Sequence, residues 1–165
     1  DPLILYLEQY DEYPVWECAS GSGVLARALE KKGFWVLETD IIHGQDFFDE
    51  IEDGATIVTN PPYSLKYEWL ERCYYLDNAF ALLMPVEMLG TAKGQRLFKF
   101  GIEIIFMSPR VDFYMPHKGW KGGGAQFPTA WFTWKLNLPK EINFATLNKP
   151  KRSELEEYWK KALGE

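Results

Sequence analysis

Through residue 85 the chain alternates short apolar runs with segments of helical periodicity, and this alternation constrains its fold more than any other feature. Val15-Trp16-Glu17-Cys18 is the first run, and the small-residue turn Ala19-Ser20-Gly21-Ser22-Gly23 closes it. A helical pattern follows, with Val24, Leu25, Ala28 and Leu29 on one face and Arg27, Glu30, Lys31 and Lys32 on the other. Gly33 stops it as a C-terminal cap. Phe34-Trp35-Val36-Leu37 reads as a second strand, Ala55-Thr56-Ile57-Val58-Thr59 as a third and Phe80-Ala81-Leu82-Leu83-Met84 as a fourth. Leu65, Trp69, Cys73 and Leu76 recur at helical spacing before the fourth. Strands and helices at this spacing build βαβ units, and therefore a parallel sheet.

The pattern breaks in the C-terminal third. Ile102–Met107 and Ala130–Leu136 read as strands with no helix between them, only a loop containing Pro116, Gly119 and Gly122-Gly123-Gly124. Two strands without a crossover helix pair antiparallel. The expected fold is α/β and Rossmann-like, a mostly parallel sheet with a C-terminal antiparallel hairpin and helices on both faces. Ser153 to Ala162 reads as an exposed amphipathic helix with Leu155, Tyr158 and Trp159 on its apolar side. At 165 residues with no internal repeat or linker, a single domain over 1–165 is expected. No apolar run reaches the length of a membrane span and no leader pattern opens the chain, so a cytoplasmic protein is expected. Cys18 and Cys73 show no metal-ligand spacing and read as reduced core residues. His43 and His117 are isolated, so no metal site is expected.

Asn60-Pro61-Pro62-Tyr63 follows the third strand directly. In an open α/β sheet, ligands bind at the carboxyl ends of strands. The two prolines fix φ and remove two backbone donors, leaving the carbonyls of Asn60 and Pro61 without a local partner strand. A rigid set of acceptors beside an aromatic ring suits a planar group that carries an NH2, such as the edge of an adenine. A plain Pro-Pro turn is the alternative.

Upstream, Glu17-x-x-x-Gly21-x-Gly23 lets a ligand approach the backbone closely. It lacks the third glycine of a dinucleotide fingerprint and the Lys-Ser/Thr of a phosphate loop, which argues against NAD and ATP. Asp40, at the end of the second strand, suits the two hydroxyls of a ribose, or else caps a turn. Asp46 suits the exocyclic amine of an adenine and Phe47 its face; the alternative is a loop aspartate beside a core ring. Together these positions describe an adenosine with an uncharged or cationic tail, and S-adenosyl-L-methionine fits.

With these residues in view, the chain resembles the class I S-adenosylmethionine-dependent methyltransferases, within them the amino-group enzymes of the DNA N6-adenine type. The resemblance rests on Glu17–Gly23, Thr39-Asp40-Ile41, Asp46-Phe47, Asn60-Pro61-Pro62-Tyr63 and the terminal hairpin, and it covers nearly the whole chain. It looks most like small phage or prophage enzymes of this group. The resemblance implies that Glu17, Ala19, Gly21 and Gly23 belong to the loop that holds the methionine part of the cofactor. It implies Asp40 and Ile41 at the ribose side, and Asp46 and Phe47 at the adenine. Asn60 and the Pro61 carbonyl would accept from the target amine, with Pro62 rigidifying the loop and Tyr63 stacking on the target ring.

Charge distribution points to the partner. Residues 1–85 carry 5 Lys/Arg against 16 Asp/Glu, whereas residues 86–152 carry 11 against 4. One basic face can therefore meet phosphate although the whole chain is at −6. Lys93, Arg96, Lys118 and Lys121, with Phe113, Tyr114 and Trp120, are the candidates for holding a nucleic-acid strand, DNA ahead of RNA. Solvated lysines and hairpin packing are the plain alternatives. Only residues 86–101 and 109–128 are left to read a base sequence, so specificity is low or a partner subunit supplies it. The same Asn-Pro-Pro-Tyr segment also serves enzymes that methylate RNA adenine or protein glutamine. A cofactor-binding subunit without activity is the reading from another class.

Overall fold

The computed structural model describes residues 3–10, 12–111 and 127–148, together with Ser153, Glu154 and Glu157. Among them run β1 (Val15–Glu17), β2 (Val36–Glu38), β3 (Thr56–Thr59), β4 (Phe80–Pro85), β5 (Glu103–Ser108), β6 (Thr129–Trp134) and β7 (Ile142–Thr146). The α-helices are α1 (Ile4–Leu7), α2 (Val24–Glu30), α3 (Lys66–Leu76) and α4 (Ala92–Phe98). The strands form one sheet in the order β2-β1-β3-β4-β6-β5-β7. β2, β1, β3 and β4 are mutually parallel, β6 is antiparallel to both β4 and β5, and β7 is parallel to β5. Only β6 is therefore reversed. The fold is α/β with a mostly parallel sheet, and the expected antiparallel pair is present as β5 and β6.

β3 is buried at all four positions because it is hydrogen-bonded on both edges and covered on both faces. An interior parallel strand has no solvent side and so reads as a near-continuous apolar run. Successive strand residues point to opposite faces, and the two cores follow that alternation. Trp16, Ile57, Phe80, Leu82 and Met84 pack with Trp69, Leu70 and Cys73 of α3 and Leu97 of α4. Val15, Val58, Ala81 and Leu83 pack with Leu7 of α1 and Leu29 of α2. Helices thus cover both faces.

Three local readings are corrected. The second strand is Val36–Glu38 rather than 34–37, since Trp35 is exposed and precedes the pairing. Ala92–Phe98 is a helix capped by Thr91, whose Oγ1 accepts from the Gly94 N–H at 3.0 Å; it falls where only a target-reading stretch was expected. β7 extends the sheet beyond β5, so the antiparallel pair is not its edge. Ser153, Glu154 and Glu157 are helical and exposed; the rest of the expected tail helix lies outside the described residues. No described helix is long and apolar enough to cross a membrane.

Candidate active site

The chain leaves β1 to form β2 on one side, then passes back to place β3 on the other. At such a switch point the loops that follow the two central strands diverge and open a crevice. A cavity of about 460 Å³ lies there. Cys18 and Ala19 line it after β1, Asp40 and Ile41 after β2, and Asn60, Pro61 and Pro62 after β3. Asp46, Phe47 and Phe48 from the 39–55 connection and Leu65 and Trp69 from the start of α3 complete the wall. Eight of the expected site residues therefore share one cavity: Ala19, Asp40, Ile41, Asp46, Phe47, Asn60, Pro61 and Pro62.

Carboxylates hold the loops. Asp40 accepts from the Gly21 N–H through Oδ2 (2.7 Å) and from the Ile42 N–H through Oδ1 (2.9 Å). It caps the 3-10 turn Ile41–His43 while tying the glycine loop to the end of β2. A carboxylate has about four acceptor sites, so two are left for a ligand. Gly21 sits at φ 52° and Gly23, which opens α2, at φ 70°, the left-handed region in which glycine carries no Cβ penalty. Glu17 is 2% exposed. Its Oε1 accepts from the Thr59 hydroxyl and from the Ala19 N–H at 3.1 Å, joining the ends of β1 and β3. Burial pushes its carboxyl up to about 7, while the hydrogen bonds pull against it and the nearby Glu38 and Asp40 add to it. Glu17, Gly21 and Gly23 thus support the cavity from behind rather than line it.

The aromatic wall is ordered by stacking. Phe47 lies on Trp69 with centroids 4.1 Å apart and planes 14° from parallel. Phe48 meets both rings edge-on, and Asp46 Oδ1 fixes the turn by accepting from the Phe48 N–H at 3.0 Å. At the mouth, Asn60 is exposed and its Oδ1 accepts from the Tyr63 hydroxyl at 2.9 Å. Tyr63 is half-buried against Phe127, edge to face at 5.6 Å. Burial raises its phenol well above the usual range, so it stays a donor. Cys18 and Cys73 are buried and form no disulfide. Burial raises both thiols, which keeps Cys18 protonated in the cavity wall.

The described basic candidates, Lys93 and Arg96, are on α4 and do not line the cavity. Lys93 pairs with Glu68 of α3 at 2.6 Å and lies 4.9 Å from the centre of the Tyr67 ring. Arg96 is exposed on the same helix. Lys118 and Lys121, with Phe113, Tyr114 and Trp120, lie outside the described residues. Sequence reasoning took Trp69 for core and did not place Leu65 or Phe48 at the site. Leu65 and Trp69 follow Pro62 within two turns of chain, and that proximity was the available signal. Among the described residues no group of three or more His, Cys, Asp or Glu is placed to hold a metal ion. No protein-family model matches the chain, and no curated protein matches it in sequence.

Proposed function

We propose that this chain is an S-adenosylmethionine-dependent methyltransferase of the class I, Rossmann-like kind, acting on an exocyclic amine: the N6 of adenine in DNA. The observation that carries the reading is the single cavity at the switch point, in which Asp40, Asp46 and Phe47 meet Asn60, Pro61 and Pro62. Its size suits a nucleoside-scale ligand. Its chemistry suits a neutral or cationic one. Asp40 and Asp46 line it, Glu17 and Glu38 stand near, and its described lining residues include no lysine or arginine. S-adenosylmethionine, when bound, supplies a methyl group made electrophilic by its sulfonium.

The remaining work belongs to the chain. An exocyclic amine delocalises its lone pair into the ring and is a weak nucleophile. Asn60 Oδ1 and the Pro61 carbonyl accept its two hydrogens, which draws the nitrogen towards tetrahedral geometry and frees the lone pair. The prolines hold the acceptors at fixed φ, so positioning and electrostatics supply most of the catalysis. Tyr63 keeps Asn60 Oδ1 occupied until the target amine arrives, and its ring then stacks on the base. A duplex target has to be flipped out of the helix. Lys93 and Arg96 meet the phosphates beside it.

Tritiated S-adenosylmethionine offered in parallel with duplex DNA, single-stranded DNA, RNA and protein tests the reading. Label is expected on adenine N6 in DNA. Label confined to protein overturns the DNA assignment in favour of glutamine. Cofactor binding with no label anywhere makes the chain a non-catalytic subunit.

A further inference from the structure

β1 and β3 are register partners only as far as Trp16 and Ile57, whereas β3 stays paired with β4 through Thr59 and Leu82. The ends of β1 and β3 thus lie past their shared ladder, where the cavity opens between the loops that follow. A side-chain link crosses there: Glu17 Oε1 accepts from the Thr59 hydroxyl. The same oxygen accepts from the Ala19 N–H at 3.1 Å. Ala19 lines the cavity on the β1 side, and Asn60, the next residue after Thr59, lines it on the β3 side. One carboxylate oxygen therefore ties the two lips of the crevice together. Both partners are buried, and an apolar pair of similar shape would fill the place at no cost in stability. Stability alone does not account for a carboxyl and a hydroxyl there.

We propose that the Glu17–Thr59 hydrogen bond fixes the separation of these lips, and so holds the methyl donor after β1 at attack distance from the amine gripped by Asn60. Glu17 and Thr59 are then positioning residues for methyl transfer. The inference rests on the methyl-transfer reading and adds to it the part that aligns the two ligands. Reacting atoms must meet at about 3–3.5 Å, and a misplacement of about 1 Å can cost about a hundredfold in rate. Such a link acts on kcat and leaves each ligand's affinity alone, because the contacts on either lip are kept.

The test compares Thr59→Val, which keeps the β-branched shape without the hydroxyl, Thr59→Ser, which keeps the hydroxyl, and Glu17→Gln, which keeps an acceptor oxygen without the charge. Turnover on duplex DNA, KM for that DNA and affinity for S-adenosylhomocysteine are measured above pH 7, where the Glu17 carboxyl is ionised. NMR of the ligand-free proteins follows the side-chain amide resonance of Asn60. Thr59→Val is expected to lower kcat about ten- to hundredfold and to shift that resonance. Its KM and its affinity for S-adenosylhomocysteine are expected to stay within about twofold of the wild type. Thr59→Ser is expected to restore kcat and resonance together. Glu17→Gln is expected to fall between, since hydrogen bonds to a neutral acceptor are about half as strong. Wild-type kcat in Thr59→Val, or a loss that appears in ligand affinity instead, overturns the inference and leaves the methyltransferase reading standing. Should Thr59→Val fail to fold in urea titrations, wild-type kcat in Glu17→Gln overturns it equally. No transfer by the wild type to DNA, RNA or protein overturns both.

Discussion

With the Tyr63 phenol donating to Asn60 Oδ1, the amide is held with its oxygen, rather than its nitrogen, in a defined direction. An amide has an acceptor end and a donor end, and only the first can take an amine hydrogen. Asn60→Ala removes that acceptor and is expected to abolish methyl transfer while leaving S-adenosylhomocysteine affinity within about twofold. Transfer retained by Asn60→Ala would sink the catalytic assignment. Glu17 makes a second prediction. Its carboxyl holds a proton more tightly folded, at about 7, than at its ordinary value of 4.5, so the folded chain binds more protons than the unfolded one between these values. Stability therefore falls as pH rises from about 4.5 to 7, by on the order of 3 kcal/mol from this group. Glu17→Gln should flatten that part of the profile in urea titrations; an unchanged slope rules it out. These residues differ in how legible they were. Asn60 and Asp46 announced themselves through their position after a strand or beside an aromatic. The two backbone hydrogen bonds of Asp40 depend on how β1 and β2 align, which one-dimensional spacing does not carry.

Helix α4 shows how an element escapes a reading by pattern. Gly94 lies inside it, and glycine in a helix interior normally costs about 1 kcal/mol relative to alanine. Here the exchange has the opposite sign. A Cβ at Gly94 would stand 2.2 Å from the Met88 carbonyl oxygen, so Gly94→Ala should destabilise by about 1–3 kcal/mol, measured by urea unfolding. A more stable variant would refute the packing argument. Strand β7 escaped for another reason: its apolar Ile142 and Phe144 are exposed, as is Thr146, while Asn143 and Ala145 are half-buried, nearly the inverse of the usual pattern. The buried strands β1, β3 and β4 were legible because burial on both faces leaves mostly apolar positions in each. Between α3 and α4, Glu68 occupies the Lys93 ammonium, and exposed pairs of this kind are weak. Glu68→Gln should tighten DNA binding by about two- to fivefold. Lys93→Gln should reduce the slope of log affinity against log salt by about 1. Filter-binding titrations between 50 and 200 mM salt, on the scale where such slopes are read, check both; a slope unchanged by Lys93→Gln removes it from the phosphate contacts.

At the scale of the molecule, the acidic N-terminal half builds the cavity and the basic stretch that follows supplies α4. The two charge signs are therefore divided between ligand pocket and flanking surface. That division was readable from residue order alone, since β1 to β3 precede the charge reversal. The place of β6 was not: pairing rules made it antiparallel to β5, but its insertion against β4 is a choice among sheet neighbours that only tertiary packing makes. Its position has a consequence for the chain during synthesis. β4 is buried at all six positions, and its outer edge is covered by residues 129–134. When Pro85 leaves the ribosome, its pairing partner is still some forty residues from being made. Through that interval the nascent sheet carries an open, apolar edge of the kind that templates association. A chain released after Pro128 should accumulate as aggregates visible by light scattering, and a monomeric one would show that β4 tolerates the wait. Translation speed between β4 and β6 then sets how long that edge stays open.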